Sequence, residues 1–269
     1  MERENPIPKS SSQRPAFSAQ QERMFREVVQ LMNRNRVQYV VSGAFALHEH
    51  TGIWRDTKDL DLFLPPREAG FALELLAKHG FQTEVRDPVW LAKAHRGEYF
   101  VDLITGMSNT VVRVDYSWIR RGRRSDVCGV QAPVLAPEEL IASKVFVARR
   151  ERFDGADISH VIYATRGALD WRRILWLMGE HWEMLLWCLV LFRYVYPSCA
   201  DYVPGRVWDE LMQRFKTELA HPNRRASFRG SLVDDKMFAI DTDEWGQRNL
   251  LEEYRESTET IERRPPKVA

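Results

Sequence analysis

The chain has little cysteine. Three in 269 residues, Cys128, Cys188 and Cys199, are too few and too widely spaced for a disulfide framework or a zinc cluster. A reducing, cytoplasmic setting is the resulting expectation. An excess of charge is also missing: 39 Lys and Arg face 38 Asp and Glu, a formal net charge of +1. No global field therefore draws the chain to nucleic acid or to a membrane. Long hydrophobic runs are absent too. The most apolar stretch, residues 184–192 within "HWEMLLWCLVLFRYVYP", is far shorter than the ~20 residues of a spanning helix and is expected to be a buried one. The opening "MERENPIPKSSSQRPAFSAQ" is polar and has no apolar signal-peptide core. What remains, 44% hydrophobic and 29% charged residues, is ordinary globular composition with ample material for a core.

The order of patterns suggests a mixed α/β part followed by helices. Residues 1–17 read as disordered, 18–136 as a mixed α/β domain, 137–253 as a helical lobe and 254–269 as a flexible tail. Ser18 can cap a helix with Met24, Val28, Leu31 and Met32 on one face. "VQYVVSG", "FQTEVRD", "EYFVDLITG", "TVVRVDYSW" and "VCGVQAPVLAP" read as strands, and "REAGFALELLAKHG" as a helix closed by Gly80.

One strand is chemically odd. In "GIWRDTKDLDLFLPP", Leu60, Leu62 and Leu64 alternate with Asp59, Asp61 and Phe63. Strands are depleted in Asp, and residues i and i+2 point the same way. Two carboxylates on one face repel unless something neutralises them. A hard cation such as Mg2+ does so, since it is held by one or two carboxylates together with substrate phosphates. The bland alternative is an edge strand carrying charge against aggregation. Sixteen residues earlier, "VVSGAFAL" runs strand, Ser42-Gly43, helix. A helix N-terminus offers backbone N–H groups to an anion, and glycine lets phosphate approach closely.

These residues resemble the nucleotidyltransferase superfamily, the fold of polymerase β and of antibiotic-modifying nucleotidyltransferases. The likeness is carried by "SGAFALHEHTGIWRDTKDLDLFL", strongest over residues 38–64 and weaker to about residue 160; the Gly-Ser order of the family is reversed here to Ser42-Gly43. The resemblance implies an α/β fold with a small mixed sheet, flanked by helices and followed by a helical C-terminal lobe. It also implies Mg2+ or Mn2+ on Asp59, Asp61 and a third carboxylate. Asp102 in "VDLI" matches the family's pattern, and Asp115 in "VVRVDYSW" is the alternative, with a turn residue as its bland reading. Ser42 and Gly43 would cradle the phosphates of a nucleoside triphosphate, with ATP among the candidates.

Lys144 in "EELIASKVFVARR" interrupts an apolar helical stripe; it reads either as a snorkelling lysine or, by the resemblance, as a cation for the triphosphate. Asp157 in "RFDGADISHVI" would orient Lys144 or Arg150. Lys58 and Arg55 flank the acidic pair, as phosphate contacts or as surface ion pairs. His48 and His50 would not share a helix face, so they do not suggest zinc. "WIRRGRRSD" places Arg120, Arg121, Arg123 and Arg124 in an expected turn, a solvated tip or a contact for a polyanion such as RNA. The expected activity is metal-dependent transfer of a nucleotidyl group to RNA, protein or a small molecule such as an antibiotic. Some relatives of this kind are toxins, so an antitoxin-like protein partner also falls within the resemblance. The alternative is a non-catalytic nucleotide-binding or protein-interaction module that keeps the fold.

Overall fold

The computed structural model describes residues 17–55 and 57–261. The expected disorder of the first sixteen residues and the last eight residues of the expected tail lie outside them. The chain forms two compact units. One holds the chain through Ser108 with Arg113–Ala136 and the stretch from Glu259; the other holds Asn109–Val112 and Pro137–Thr258.

The first unit opens with α1 (Ala19–Arg34). Ser18 caps it, its hydroxyl accepting from the Gln21 N–H at 3.0 Å, which satisfies one of the donors a helix start leaves over. Met24, Phe25, Val28, Leu31 and Met32 recur at helical spacing and are buried. Then come β1 (Val40–Val41), α2 (Gly43–Thr51), β2 (Asp59–Phe63), α3 (Pro66–Lys78), β3 (Gln82–Asp87), β4 (Leu91–Arg96), β5 (Tyr99–Ile104), α4 (Tyr116–Arg121), β6 (Arg123–Val127) and β7 (Val130–Val134). Among the described residues these strands form one seven-stranded sheet, ordered β3-β4-β5-β2-β1-β7-β6. The sheet is mixed: β2 runs parallel to β5 and β1 parallel to β7, and the remaining neighbours are antiparallel. Leu60, Leu62, Val101 and Leu103 are wholly buried, so the apolar side of β2 and β5 builds the core while the other side carries the acids.

Several local expectations change. β1 is two residues long rather than the whole of "VQYVVSG". "TVVRVDYSW" is not a strand. Thr110 sits at φ +61°, the pairing of this stretch reduces to a single bridge between Gly106 and Arg113, and Asp115 caps α4. β4, which the pattern did not signal, runs between β3 and β5. Arg120 and Arg121 close α4, and Arg123 and Arg124 lie on β6, an edge strand, rather than at a hairpin tip. At the expected tail, α12 (Leu250–Glu256) is helical, and Ile261 is buried with its N–H on the Pro88 carbonyl.

The second unit holds α5 (Pro137–Lys144), a short hairpin β8 (Ala148–Arg149) and β9 (Arg152–Phe153), α6 (Gly155–Ala164), α7 (Trp171–Met178), α8 (Trp182–Val195), α9 (Gly205–Ala220), α10 (Gly230–Val233), α11 (Ala239–Asp243) and then α12. Helices α5 to α8 pack together and bury Leu140, Ile158, Val161, Ile174, Leu185 and Leu189, each worth roughly 1.5–3 kcal/mol. Residues 171–195 together have the length and composition of a membrane span. Gly179, at φ +50° and ψ −119°, breaks that run into helices of 8 and 14 residues, each shorter than a crossing needs.

Candidate active site

β2 is not an edge strand. It lies between β5 and β1, so edge protection does not account for its aspartates. The parallel register sets Asp61 directly opposite Asp102. Asp59 shares the face of Asp61 by the two-residue period. One carboxylate oxygen from each of Asp59, Asp61 and Asp102 lies within 4.8 Å of the others. Asp102 is buried, while the other two are half-buried. Like charges opposed across strands are destabilising, more so where water is excluded.

The surrounding groups partly offset that cost. The Thr57 hydroxyl donates to Asp59 Oδ1 at 2.5 Å. Lys93 on β4 is in register with Asp102, and its Nζ donates to both carboxylate oxygens, at 2.8 and 3.0 Å. Burial pushes the Asp102 carboxyl above its ordinary range; the Lys93 bond and charge pull it back in part, and the Asp59 charge adds to the rise. Three carboxylates form an all-oxygen donor set, the set suited to Mg2+ or Mn2+. The Lys93 ammonium already occupies both Asp102 oxygens.

Gly43 meets the acidic strand at close quarters. The N–H of Ser42 donates to the Asp61 carbonyl at 2.9 Å, tying the start of α2 to β2. Gly43 sits at φ +57°, and a Cβ there would lie 1.8 Å from Asp61 Oδ2. The glycine is thus required by the Asp61 carboxylate itself, a reason different from the phosphate approach expected of it. Ser42 is buried, and its side chain makes no capping bond to α2. The N–H groups of the first turn precede the i→i−4 ladder and carry the positive end of the helix dipole.

The other candidates have their own surroundings. Lys58 is exposed immediately before β2, and Arg55 is exposed in the preceding loop. Asp115 accepts the N–H groups of Ser117 and Trp118, at 2.7 and 3.4 Å, as the cap of α4. Lys144 belongs to the second unit, where its ammonium lies 2.6 Å from Asp154 and 2.8 Å from Asp157. Arg152 joins the same network through Asp154. His48 stacks on Trp54 with ring centroids 4.0 Å apart, and His50 Nε2 bonds the Leu135 carbonyl. Nothing in the sequence immediately around Lys93 marks it as part of the site.

Three carboxylates converge on central strands beside the glycine start of a helix, the arrangement expected from the resemblance to nucleotidyltransferases. The family described as "nucleotidyl transferase of unknown function" (DUF2204) matches residues 21–178, more than half of the chain, and the chain belongs to it. No curated protein matches the sequence. Among solved structures, the antibiotic-resistance factor ANT(2'')-Ia is similar at 14% identity and a TM-score of 0.41, over 68% of this chain and 96% of that one. The lincosamide antibiotic adenylyltransferase LnuA is 14% identical at a TM-score of 0.39, over 52% and 95%. An antigenic nucleotidyltransferase-like protein from Paracoccidioides brasiliensis is 18% identical at 0.45, over 70% and 94%. At these identities and scores the neighbours add nothing to the family assignment.

Proposed function

We propose that the protein transfers the nucleotidyl group of a nucleoside triphosphate to an acceptor hydroxyl, releasing pyrophosphate, with Asp59, Asp61 and Asp102 as the divalent-cation ligands. The observation that carries this reading is the convergence of the three carboxylates within 4.8 Å on central strands. A divalent cation bound there would neutralise triphosphate charge and polarise the phosphoryl group. The remaining work falls to the chain. Thr57 fixes the Asp59 carboxylate, and the Ser42 N–H fixes the backbone of Asp61. The first turn of α2 directs N–H groups and dipole toward phosphate. Ser42 and Lys58 are assigned to the phosphates as well.

Asp102 is assigned as the general base. What supports this is its place, a buried carboxylate on β5 directly opposite Asp61. The acceptor oxygen attacks the α-phosphorus as its proton passes to Asp102. A new P–O bond forms, the bond between the α-phosphorus and the β-bridging oxygen breaks, and pyrophosphate leaves. Labelled NTPs incubated with Mg2+ or Mn2+ and with RNA, protein or aminoglycoside acceptors test the scheme. The wild-type chain should transfer label and release pyrophosphate. Asp61→Asn should do neither while melting as a folded protein. Undiminished transfer by that variant rejects the scheme.

A further inference from the structure

Three carboxylates brought this close raise one another's energy, and the sheet on which they stand screens them poorly. β4 answers this with a cation. Its antiparallel register places Lys93 opposite Asp102, and the ammonium bonds both carboxylate oxygens. The pair is not a surface ion pair: the Lys93 side chain is 26% exposed and that of Asp102 12%. The Phe100 ring, its centroid 5.6 Å from the Lys93 ammonium, borders the same spot.

We propose that Lys93 is a positioning residue of the acidic site, a resident cation that fixes the Asp102 carboxylate from the β4 side and competes with a divalent ion for it. This inference rests on the reading of the triad as a divalent-cation seat. Both Asp102 oxygens already accept from Lys93, so an arriving ion must share the carboxylate or displace the ammonium. Two cations on one carboxylate repel, and Lys93 thereby weakens divalent binding. Its flexible four-carbon stem lets the ammonium withdraw without moving the strand. The lysine stabilises the site in the absence of metal and limits how tightly it holds metal.

Calorimetric titration of Mn2+ alone, at one fixed pH, into wild type, Lys93→Met, Lys93→Gln and Lys93→Arg tests this, together with melts of the metal-free proteins. Lys93→Met should bind Mn2+ on the order of tenfold more tightly, because a like charge beside the ion is gone. Its metal-free form should melt below wild type, with Mn2+ closing the gap. Lys93→Arg keeps the charge and should show no tightening, which a merely structural role for the side chain would not explain. Should Lys93→Met fail to fold, Lys93→Gln retains a hydrogen-bond donor and carries the same comparison. Wild-type affinity, or weaker, in the uncharged variants overturns the role of Lys93 alone. A wild-type chain that takes up no Mn2+ overturns the reading of the triad and this inference with it.

Discussion

Gly43→Ala separates two costs that can be calculated from different features of the structure. The first is backbone. Gly43 holds φ +57°, where a Cβ-bearing residue incurs roughly 1–2 kcal/mol. For a chain of this size that lowers Tm by about 2–8 °C. The second cost is local and chemical. The added Cβ falls 1.8 Å from Asp61 Oδ2 and 2.8 Å from its Cγ, whereas real contacts are essentially never under 3.0 Å. The carboxylate must therefore retreat by about 1.2 Å, a displacement of the size that costs about a hundredfold in rate when a reacting geometry is disturbed. Mn2+ affinity should fall at least about tenfold. At an ion concentration about a hundred times the wild-type Kd, bound Mn2+ stabilises wild type by about 2.7 kcal/mol and such a variant by about 1.3 kcal/mol less. Gly80→Ala is the control: Gly80 sits at φ +79° with nothing within 4 Å of its added Cβ. It incurs the backbone cost and should keep full Mn2+ binding. Melting curves of both variants with and without Mn2+ read the two costs apart. Equal Mn2+ responses in the two variants refute the claim that Gly43 is a glycine for the sake of Asp61.

Two further perturbations address residues other than the triad. Burial pushes the Asp154 carboxyl up, but the Arg152 hydrogen bond and the Lys144 charge outweigh it and hold the group below its usual range. A depressed carboxylate contributes stability that is present above its unfolded pKa and is lost as pH falls through its folded value. Asp154→Asn should thus be less stable than wild type at pH 7, by about 1.5–3 kcal/mol, with the gap closing below about pH 4; a gap independent of pH in urea titrations rejects the ion-network account. Asp115→Ala removes the cap of α4 and should cost about 0.5–2 kcal/mol while leaving pyrophosphate release unchanged. Loss of release with full stability would restore Asp115 as a candidate third carboxylate.

What the sequence discloses depends on whether a feature is written locally. The period of two in β2, the Ser18 cap and the interrupted apolar run around Asp102 each lie within a few residues, and each signals its element. Gly43 does not disclose its reason, because the atom that demands a glycine belongs to Asp61, eighteen residues on and one strand away. Intrinsic preference misleads in the stretch Thr110–Val114. Its valines favour a strand, but Thr110 turns the chain at positive φ, and among the described residues the pairing of this stretch is a single bridge between Gly106 and Arg113.

β4 fails in the opposite direction. "LAKAHR" is rich in Ala, Lys and His, which carry little strand preference, and its conformation comes from pairing on both sides with β3 and β5. A signal was nonetheless present next door. "RGEY" places Gly97 and Glu98 between Arg96 and Tyr99, a two-residue loop with a glycine at φ +65°, which is hairpin chemistry. Once Arg96 faces Tyr99, antiparallel pairing leaves no freedom: each step back along one strand is a step forward along the other. Three such steps bring Lys93 opposite Asp102. The side-chain period puts both on the same face, so the hairpin turn alone delivers the cation to the acid. A shift of register by one residue would send Lys93 to the opposite face, into the apolar core. The charge balance of the acidic site is thus fixed by a turn at Gly97, not by any preference of lysine for a strand.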